Sequence, residues 1–307
     1  MYKKATVTGR FAPSPSGVMH LGNLSSYLLA WLDARSEGGN IILRIEDLDP
    51  DRCSREYALQ LADDLRFLGL YWDNELSEEY YQSSRTPIYE DIFRQLMKRG
   101  MLYPCYCSRS QRLAASAPHP NECTHDTGCK CRHLSHSERA EIEKRGKKPA
   151  WKIHVPDKEI VFNDGHYGLI RQNLAEGGDF IIRRSDGVFA YQLAVSFDDM
   201  DMGVDRVVRG RDLLSSTARQ VWLINELGGT PPKYCHAPLL LSSDGRKLSK
   251  RDGDLNMLNL RKSHSAEEIT GYLAAQLGLG DGTPIDAQTL LSTFDWSLVP
   301  KNDITIK

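Results

Sequence analysis

No apolar run near the start of this 307-residue chain exceeds Tyr27-Leu-Leu-Ala-Trp-Leu32, far short of the ~18 residues of a membrane-crossing helix. Met1-Tyr-Lys-Lys4 leads into no hydrophobic stretch, so no secretory leader is expected. A membrane is not an expected partner, and the cytoplasm is the expected compartment. Net charge is also nearly absent, with 39 Lys+Arg against 41 Asp+Glu giving −2. No global basic field announces a nucleic-acid binder. DNA is not an expected partner, although a local basic groove stays open. There is no internal repeat and no low-complexity tract.

What is present describes an ordinary globular protein. The chain is 40% hydrophobic and 26% charged, and its length suggests two domains or one α/β domain with a large insertion. It can bury a core without disulfide staples. The seven cysteines are more telling. An odd count without a leader argues against a disulfide scaffold. Cys105, Cys107, Cys123, Cys129 and Cys131 crowd one window and read as a metal site or redox patch. Cys53 and Cys235 read as packing residues.

Periodicity gives the organisation. Leu24, Leu28, Trp31 and Leu32 share a helical face over 24–35, and Gly38-Gly39-Asn40 turns the chain. Ile41–Ile45 is a short β-rich run with Glu46 and Asp47 at its carboxyl end. Tyr57, Leu61, Leu65 and Leu68 return to helical spacing. This β-helix order favours a doubly wound parallel sheet, whose ligands lie at the strands' carboxyl ends. A helix is predicted from about Ile88 to Met97. Strands are predicted at Trp151–Val155 and Ile160–Phe162, and a hairpin pairs Phe180–Arg184 with Phe189–Leu193 about Asp186-Gly187. A helix near 215–227 takes Ser215 or Ser216 as its N-cap, and Gly228–Pro232 reads as a linker. Ser265 and Glu268 have capping-box spacing before a helical run, Ala266–Ala275. The expected partition is 1–100 and 191–230 as two halves of a nucleotide-binding catalytic domain, 101–190 as a mixed α/β insertion, and 231–307 as a short C-terminal segment.

Two short segments carry chemistry. Arg10-Phe-Ala-Pro-Ser14-Pro-Ser-Gly17-Val-Met-His20-Leu-Gly22-Asn23 runs into the first helix, whose N-terminus offers free N–H donors and positive potential to a phosphate. Gly22 permits close approach of a nucleotide, and His20 and Asn23 are donors that can follow a phosphate chain. The same turn also serves as ordinary helix capping. Further on, Ser242-Ser-Asp-Gly-Arg-Lys247-Leu-Ser-Lys250-Arg251 has the basic side chains and small residues of a polyphosphate clamp, or of a solvated surface loop.

In combination these segments resemble the HIGH-type (His20-Leu-Gly-Asn23) and KMSKS-type (Lys247-Leu-Ser-Lys250) signatures of class I aminoacyl-tRNA synthetases. Arg10–Gly17, Leu43-Arg-Ile-Glu46-Asp-Leu-Asp49, Ala190-Tyr191-Gln-Leu-Ala194 and Val208-Arg209-Gly-Arg-Asp-Leu-Leu214 are similar to the glutamyl branch. The resemblance runs from about residue 6 to residue 251. Full glutamyl and glutaminyl enzymes carry anticodon-binding domains after the second signature, and 56 residues after Arg251 are too few for one. The chain therefore resembles the shortened glutamyl-tRNA synthetase-like family that lacks the anticodon-binding domain. That resemblance implies a class I Rossmann-type fold and ATP-dependent activation of L-glutamate, followed by transfer to the queuosine base of tRNA(Asp). The alternatives are a truncated synthetase charging a tRNA 3′ end, and a non-catalytic paralogue binding glutamate or ATP.

Site roles follow from the resemblance and from charge. Glutamate brings two carboxylates and one ammonium. Arg10 and Arg209 can hold carboxylates bidentately, Tyr191 and Ser14 can add hydroxyl contacts, and Glu46 can meet the ammonium. Glu46 could instead pair with Arg44 on the surface, and Tyr191 could be a core residue of the hairpin. Adenylate formation is mostly positioning and stabilisation of developing charge. His20, Gly22 and Asn23 would hold the ATP phosphates, with Lys247 and Lys250 on the transferring group and pyrophosphate. Magnesium is expected with the ATP polyphosphate rather than in a protein cage.

For the cysteines, Cys105-x-Cys107 and Cys129-x-Cys131 suit a structural Cys₄ zinc site. The similar family pattern is Cys-x-Cys followed by Tyr-x₃-Cys, from which this chain departs. Thr127 stands four residues before Cys131 and His125 four before Cys129. Cys105 and Cys107 are the surest ligands, and Cys123, His125, Cys129 and Cys131 compete for the second pair.

Overall fold

The structure, a computed structural model, describes residues 7–107, 129–248 and 255–306. It is a mixed α/β fold. The parallel sheet begins with β1 (Thr8–Phe11) and β2 (Asn40–Leu43), which pair in parallel with Arg10 opposite Ile42. Between them runs α1 (Leu21–Ser36), ten of whose sixteen residues are buried. A helix so apolar around its circumference belongs at the centre of a fold. Its return to β2 is tight: a Cβ on Gly39 would lie 2.5 Å from the Val7 carbonyl oxygen, so any larger residue would push the strand and helix apart.

Helix α2 (Arg55–Phe67) follows, capped by the Ser54 side chain, and then α3 (Thr86–Lys98). The residues after α3 contribute β3 (Leu102–Cys105), α4 (His136–Lys144), β4 (Ala150–Ile153), and the hairpin of β5 (Glu159–Asp164) and β6 (Gly168–Asn173). A helical turn, α5 (Leu174–Gly177), leads to β7 (Phe180–Arg183), and β3, β4 and β7 form an antiparallel sheet in that order. Helix α6 (Tyr191–Asp201) returns the chain to the parallel strands. There β8 (Arg206–Gly210), α7 (Leu214–Glu226) and β9 (Lys233–Ala237) complete a second β-α-β unit, with Arg209 opposite His236 in a parallel pair. Strand β8 lies beside β1, where Asp205 N donates to Thr8 O at 3.1 Å. The carboxyl ends of β2, β1, β8 and β9 thus open on one side.

Three sequence expectations change. The predicted second hairpin arm is not a strand: Phe189 makes one bridge to Arg183, and Tyr191 already begins α6. Leu193, Ala194 and Phe197 are buried at helical spacing, and that apolar face outweighs the local β signal. Neither Ser215 nor Ser216 caps α7. Leu213 holds that position without a side-chain bond, because a 3₁₀ turn over Arg211–Leu213 runs directly into the helix. The Gly228–Pro232 stretch is the turn from α7 into β9 rather than a linker, and β9 pairs with β8.

The tail is bound to the core around α1. Strand β10 (Leu240–Leu241) pairs in parallel with β11 (Ile304–Thr305), and α8 (Met257–Ser263), α9 (Ala266–Gln276) and α10 (Ala287–Leu290) lie between them. The Ser265–Glu268 capping box forms as its spacing predicts. Trp296 Nε1 donates to Asp33 of α1 at 2.7 Å, and α9 contributes Ile269, Leu273 and Ala274 to the core around α1. A second core joins α3, β7, α6 and α7, and a small third one surrounds Tyr103, Cys105, Tyr106 and Cys131. Among the described residues no helix is long and apolar enough to cross a membrane.

Candidate active site

The two signature segments meet. His20 is the N-cap of α1, with Nδ1 accepting from Gly22 N at 3.2 Å while Asn23 Oδ1 accepts from His20 N at 3.3 Å. The capping reading of this turn is therefore realised, and the Nδ1 acceptor leaves Nε2 as the ring's donor. A Cβ on Gly22 would lie 3.1 Å from the His20 ring and 3.6 Å from Leu248 Cβ. Leu248, inside the second signature, is buried in the same core as α1. Asn256 bridges His20, and Met257 N donates to Met19 O at 2.9 Å. Lys247 is exposed and paired with Asp212. Lys250, Arg251, Cys123, His125 and Thr127 lie outside the described residues.

The predicted amino-acid residues converge at the carboxyl ends of the strands. Arg10 on β1 is buried, donating from Nη1 to Val208 O at 3.1 Å, with Nε 3.4 Å from Asp199 Oδ1. Arg209 on β8 is equally buried, and Tyr191 at the start of α6 approaches its Nη1 at 3.5 Å. Glu46 follows β2, where Arg44 N donates to Phe11 O and Glu46 N to Pro13 O, both continuing the β1–β2 ladder. Ser14 sits exposed in the loop between β1 and α1.

Glu46 does pair with Arg44, at 3.2 Å, but in the interior instead of on the surface. Arg44 is fully buried, 2.8 Å from Asp199 and 3.8 Å from Asp198. Asp198 in turn contacts Arg85 (2.8 Å), Gln82 (2.7 Å) and the Tyr89 hydroxyl (2.7 Å). Burial pushes the Glu46 carboxyl up, against the opposing pull of Arg44 and Arg10. Charges this deep persist only when paired. The cluster therefore fixes Glu46 and Arg10 as a set, with acidic and basic groups interleaved.

The family follows from comparison with known proteins. The model for class I tRNA synthetases (E and Q), catalytic domain, matches residues 6–280. The chain is 46% identical over 299 residues to the glutamyl-Q tRNA(Asp) synthetase of Nitratidesulfovibrio vulgaris, covering 94% of this chain and 92% of that protein. It is 45% identical over 308 residues to the enzyme of the same name from Symbiobacterium thermophilum, covering 97% and 95%. The chain belongs to the glutamyl-Q tRNA(Asp) synthetase family. Among solved structures it is similar to a glutamate tRNA ligase from Elizabethkingia meningosepticum determined with its amino acid. The TM-score there is 0.80 at 25% identity, over 98% of this chain and 67% of that ligase.

This family member also has a four-sulfur cluster. Cys105, Cys107, Cys129 and Cys131 place their sulfurs within 4.8 Å of one another. Cys129 lies 3.6 Å from Cys105 and 3.8 Å from Cys107, which is 3.8 Å from Cys131. Four sulfurs each ~2.3 Å from a tetrahedral zinc stand about 3.8 Å apart. The donor set fits, and its thiolate chemistry suits zinc. The hydrogen bond with Cys105 pulls the Cys129 thiol down to about 5.

Sequence reading missed much of the buried shell in this glutamyl-Q synthetase relative. Asp198 and Asp199 carried a usable signal, since two acids closing the apolar run Leu193–Phe197 need buried partners. Arg44, two residues from Glu46, gives in sequence only the signal of a surface neighbour. Tyr234, on β9, is buried with a hydroxyl that finds no hydrogen-bond partner among the described residues. Its ring lies 5.0 Å from the Arg209 guanidinium carbon. Nothing in local spacing distinguishes it from an ordinary strand tyrosine.

Proposed function

We propose that the chain activates L-glutamate with ATP and transfers it to the queuosine base of tRNA(Asp). The observation that carries this reading is a buried site in which two arginines, Arg10 and Arg209, lie at the carboxyl ends of the strands together with the Glu46 carboxylate, which can meet an ammonium. That charge pattern complements glutamate. Arg10 Nε and the Tyr234 hydroxyl make no hydrogen bond among the described residues, and a bound carboxylate would supply acceptors to both. The names of the relatives support the same substrates.

In this reading Arg10 and Arg209 hold the two carboxylates, with Tyr191 and Ser14 adding hydroxyl contacts. His20, Gly22 and Asn23 hold ATP phosphates, and Lys247 and Lys250 meet the charge on the transferring group. An α-carboxylate oxygen attacks the α-phosphorus, the bond to the β-phosphate breaks, and pyrophosphate leaves. A nucleophile on the modified base then attacks the acyl carbon and AMP leaves. Lys247 must part from Asp212 to join the first step. Magnesium accompanies the polyphosphate, and zinc in the four-cysteine site would hold the insertion together. The 3.6–3.8 Å sulfur spacings support that assignment.

The test is transfer of labelled glutamate to tRNA(Asp) with and without queuosine. Labelling restricted to the queuosine-containing tRNA is expected. Equal labelling of both would mean 3′-end charging, and absence of glutamate-dependent ATP–pyrophosphate exchange would mean a binding protein.

A further inference from the structure

The hairpin β5–β6 sends one carboxylate back to the amino-acid site. Asp164 ends β5, and its Oδ1 accepts from His166 N at 3.1 Å and Tyr167 N at 2.9 Å. Gly165 N donates to Tyr234 O at 2.8 Å, which docks the bend on β9. Asp164 Oδ2 lies 2.5 Å from Nδ1 of His236, and both side chains are fully buried. An ionised carboxylate only accepts, so this contact assigns the ring proton to Nδ1. Nε2 is then an acceptor, and Arg209 Nε donates to it at 3.1 Å.

Two more short bonds fix the Arg209 plane: Nη1 to Gln220 Oε1 at 2.7 Å and Nη2 to Thr217 Oγ1 at 2.8 Å. The remaining contacts are longer, 3.5 Å to the Tyr191 hydroxyl and 3.4 Å to Leu213 O. Those are the two a carboxylate can replace without turning the guanidinium.

We infer that Asp164 and His236 are positioning residues for Arg209, acting in line so that an acidic residue of the insertion hairpin sets the orientation of a glutamate contact on β8. Neither touches the substrate. Losing the Asp164 charge lets the ring carry its proton on Nε2, where it opposes the Arg209 Nε–H and turns the guanidinium. Misplacing a binding group by ~1 Å costs on the order of 10²-fold. The inference rests on Arg209 as a contact to glutamate, as proposed above.

The experiment is glutamate-dependent ATP–pyrophosphate exchange on the full chain with Asp164→Asn, His236→Gln and Arg209→Lys. Asp164→Asn should raise the KM for glutamate by at least about tenfold while the KM for ATP stays within about twofold, the scale of one misplaced contact. His236→Gln keeps an amide oxygen toward Arg209 Nε and should retain most of the glutamate affinity. Partial unfolding lowers the active fraction, hence kcat, and leaves KM where it was. An unchanged glutamate KM in Asp164→Asn, or a His236→Gln as impaired as Asp164→Asn, overturns the inference. If Arg209→Lys itself leaves the glutamate KM unchanged, the reading of the site fails instead.

Discussion

Leu248 packs against Gly22, joining the lysine-bearing loop to the start of α1 at a point where a glycine Cβ would stand 3.6 Å from Leu248 Cβ. This leucine lies between Lys247 and Lys250 and is buried in the α1 core. Leu248→Ala should cost about 2–5 kcal/mol of stability, measured by urea denaturation. The loop would also lose its anchor beside His20. Pyrophosphate exchange at fixed ATP should then fall by about tenfold, the scale of one misplaced charge-stabilising group, with the glutamate KM unchanged. Exchange at the wild-type rate would show that the lysines do not depend on this contact.

Asp199 is the next test, because Arg44 beside it is inaccessible to solvent. Removing one member of a buried ion pair leaves an uncompensated charge and costs about 3–5 kcal/mol. Asp199→Ala should show a loss of that size in its denaturation midpoint. Arg171→Ala breaks the exposed pair with Glu159, and such surface pairs contribute about 1 kcal/mol or less. Similar losses in the two variants would contradict the buried-network account.

How far the sequence reaches is visible in these two cases. The signature loops, α1 and the β-α-β order follow from period and turn residues, which are local. Arg10, Glu46 and Arg209 stand out through the resemblance to the glutamyl branch, whose substrate's charges call for such partners. Asp199, Asp164, Gln220 and His236 were not found. Each works through a residue distant in sequence, and the β5–β6 hairpin reaches His236 across 72 positions. The failed hairpin arm at Tyr191 has the same origin, since α6 is selected by the core it completes.

His236 gives a pH prediction. Burial pushes its imidazole down to about 4, and Arg209 and Arg10 add to that effect against the opposing pull of Asp164. Between pH 6.5 and 4 the unfolded chain therefore binds a proton that the folded one refuses, so stability falls with pH across that window. At ~1.4 kcal/mol per unit, the drop from pH 7 to pH 5 should be about 2 kcal/mol larger in the wild type than in His236→Gln. Glu46, raised by burial, contributes with the opposite sign, losing stability as pH rises above the ordinary carboxylate range. It is common to both proteins and cancels. Parallel pH profiles of the urea midpoint would place the imidazole in its ordinary range.

The cysteine cluster closes the set. Cys105 and Cys107 come from the end of β3 and the residues just after it, while Cys129 and Cys131 stand at the 3₁₀ turn over Lys130–His133. Four sulfurs that make zinc-like spacings across two segments would link them as strongly as a local core. The cluster's own core is small, with Tyr103 and Tyr106 as its large members, and a structural metal is what such a module needs. Purified protein should carry about one zinc per chain. Cys105→Ser and Cys131→Ser should each lose it and lower the melting temperature, whereas Cys53→Ser and Cys123→Ser should keep it. Full zinc in Cys131→Ser would move the fourth ligand to Cys123 or His125. Full zinc in Cys105→Ser would remove β3 from the site altogether.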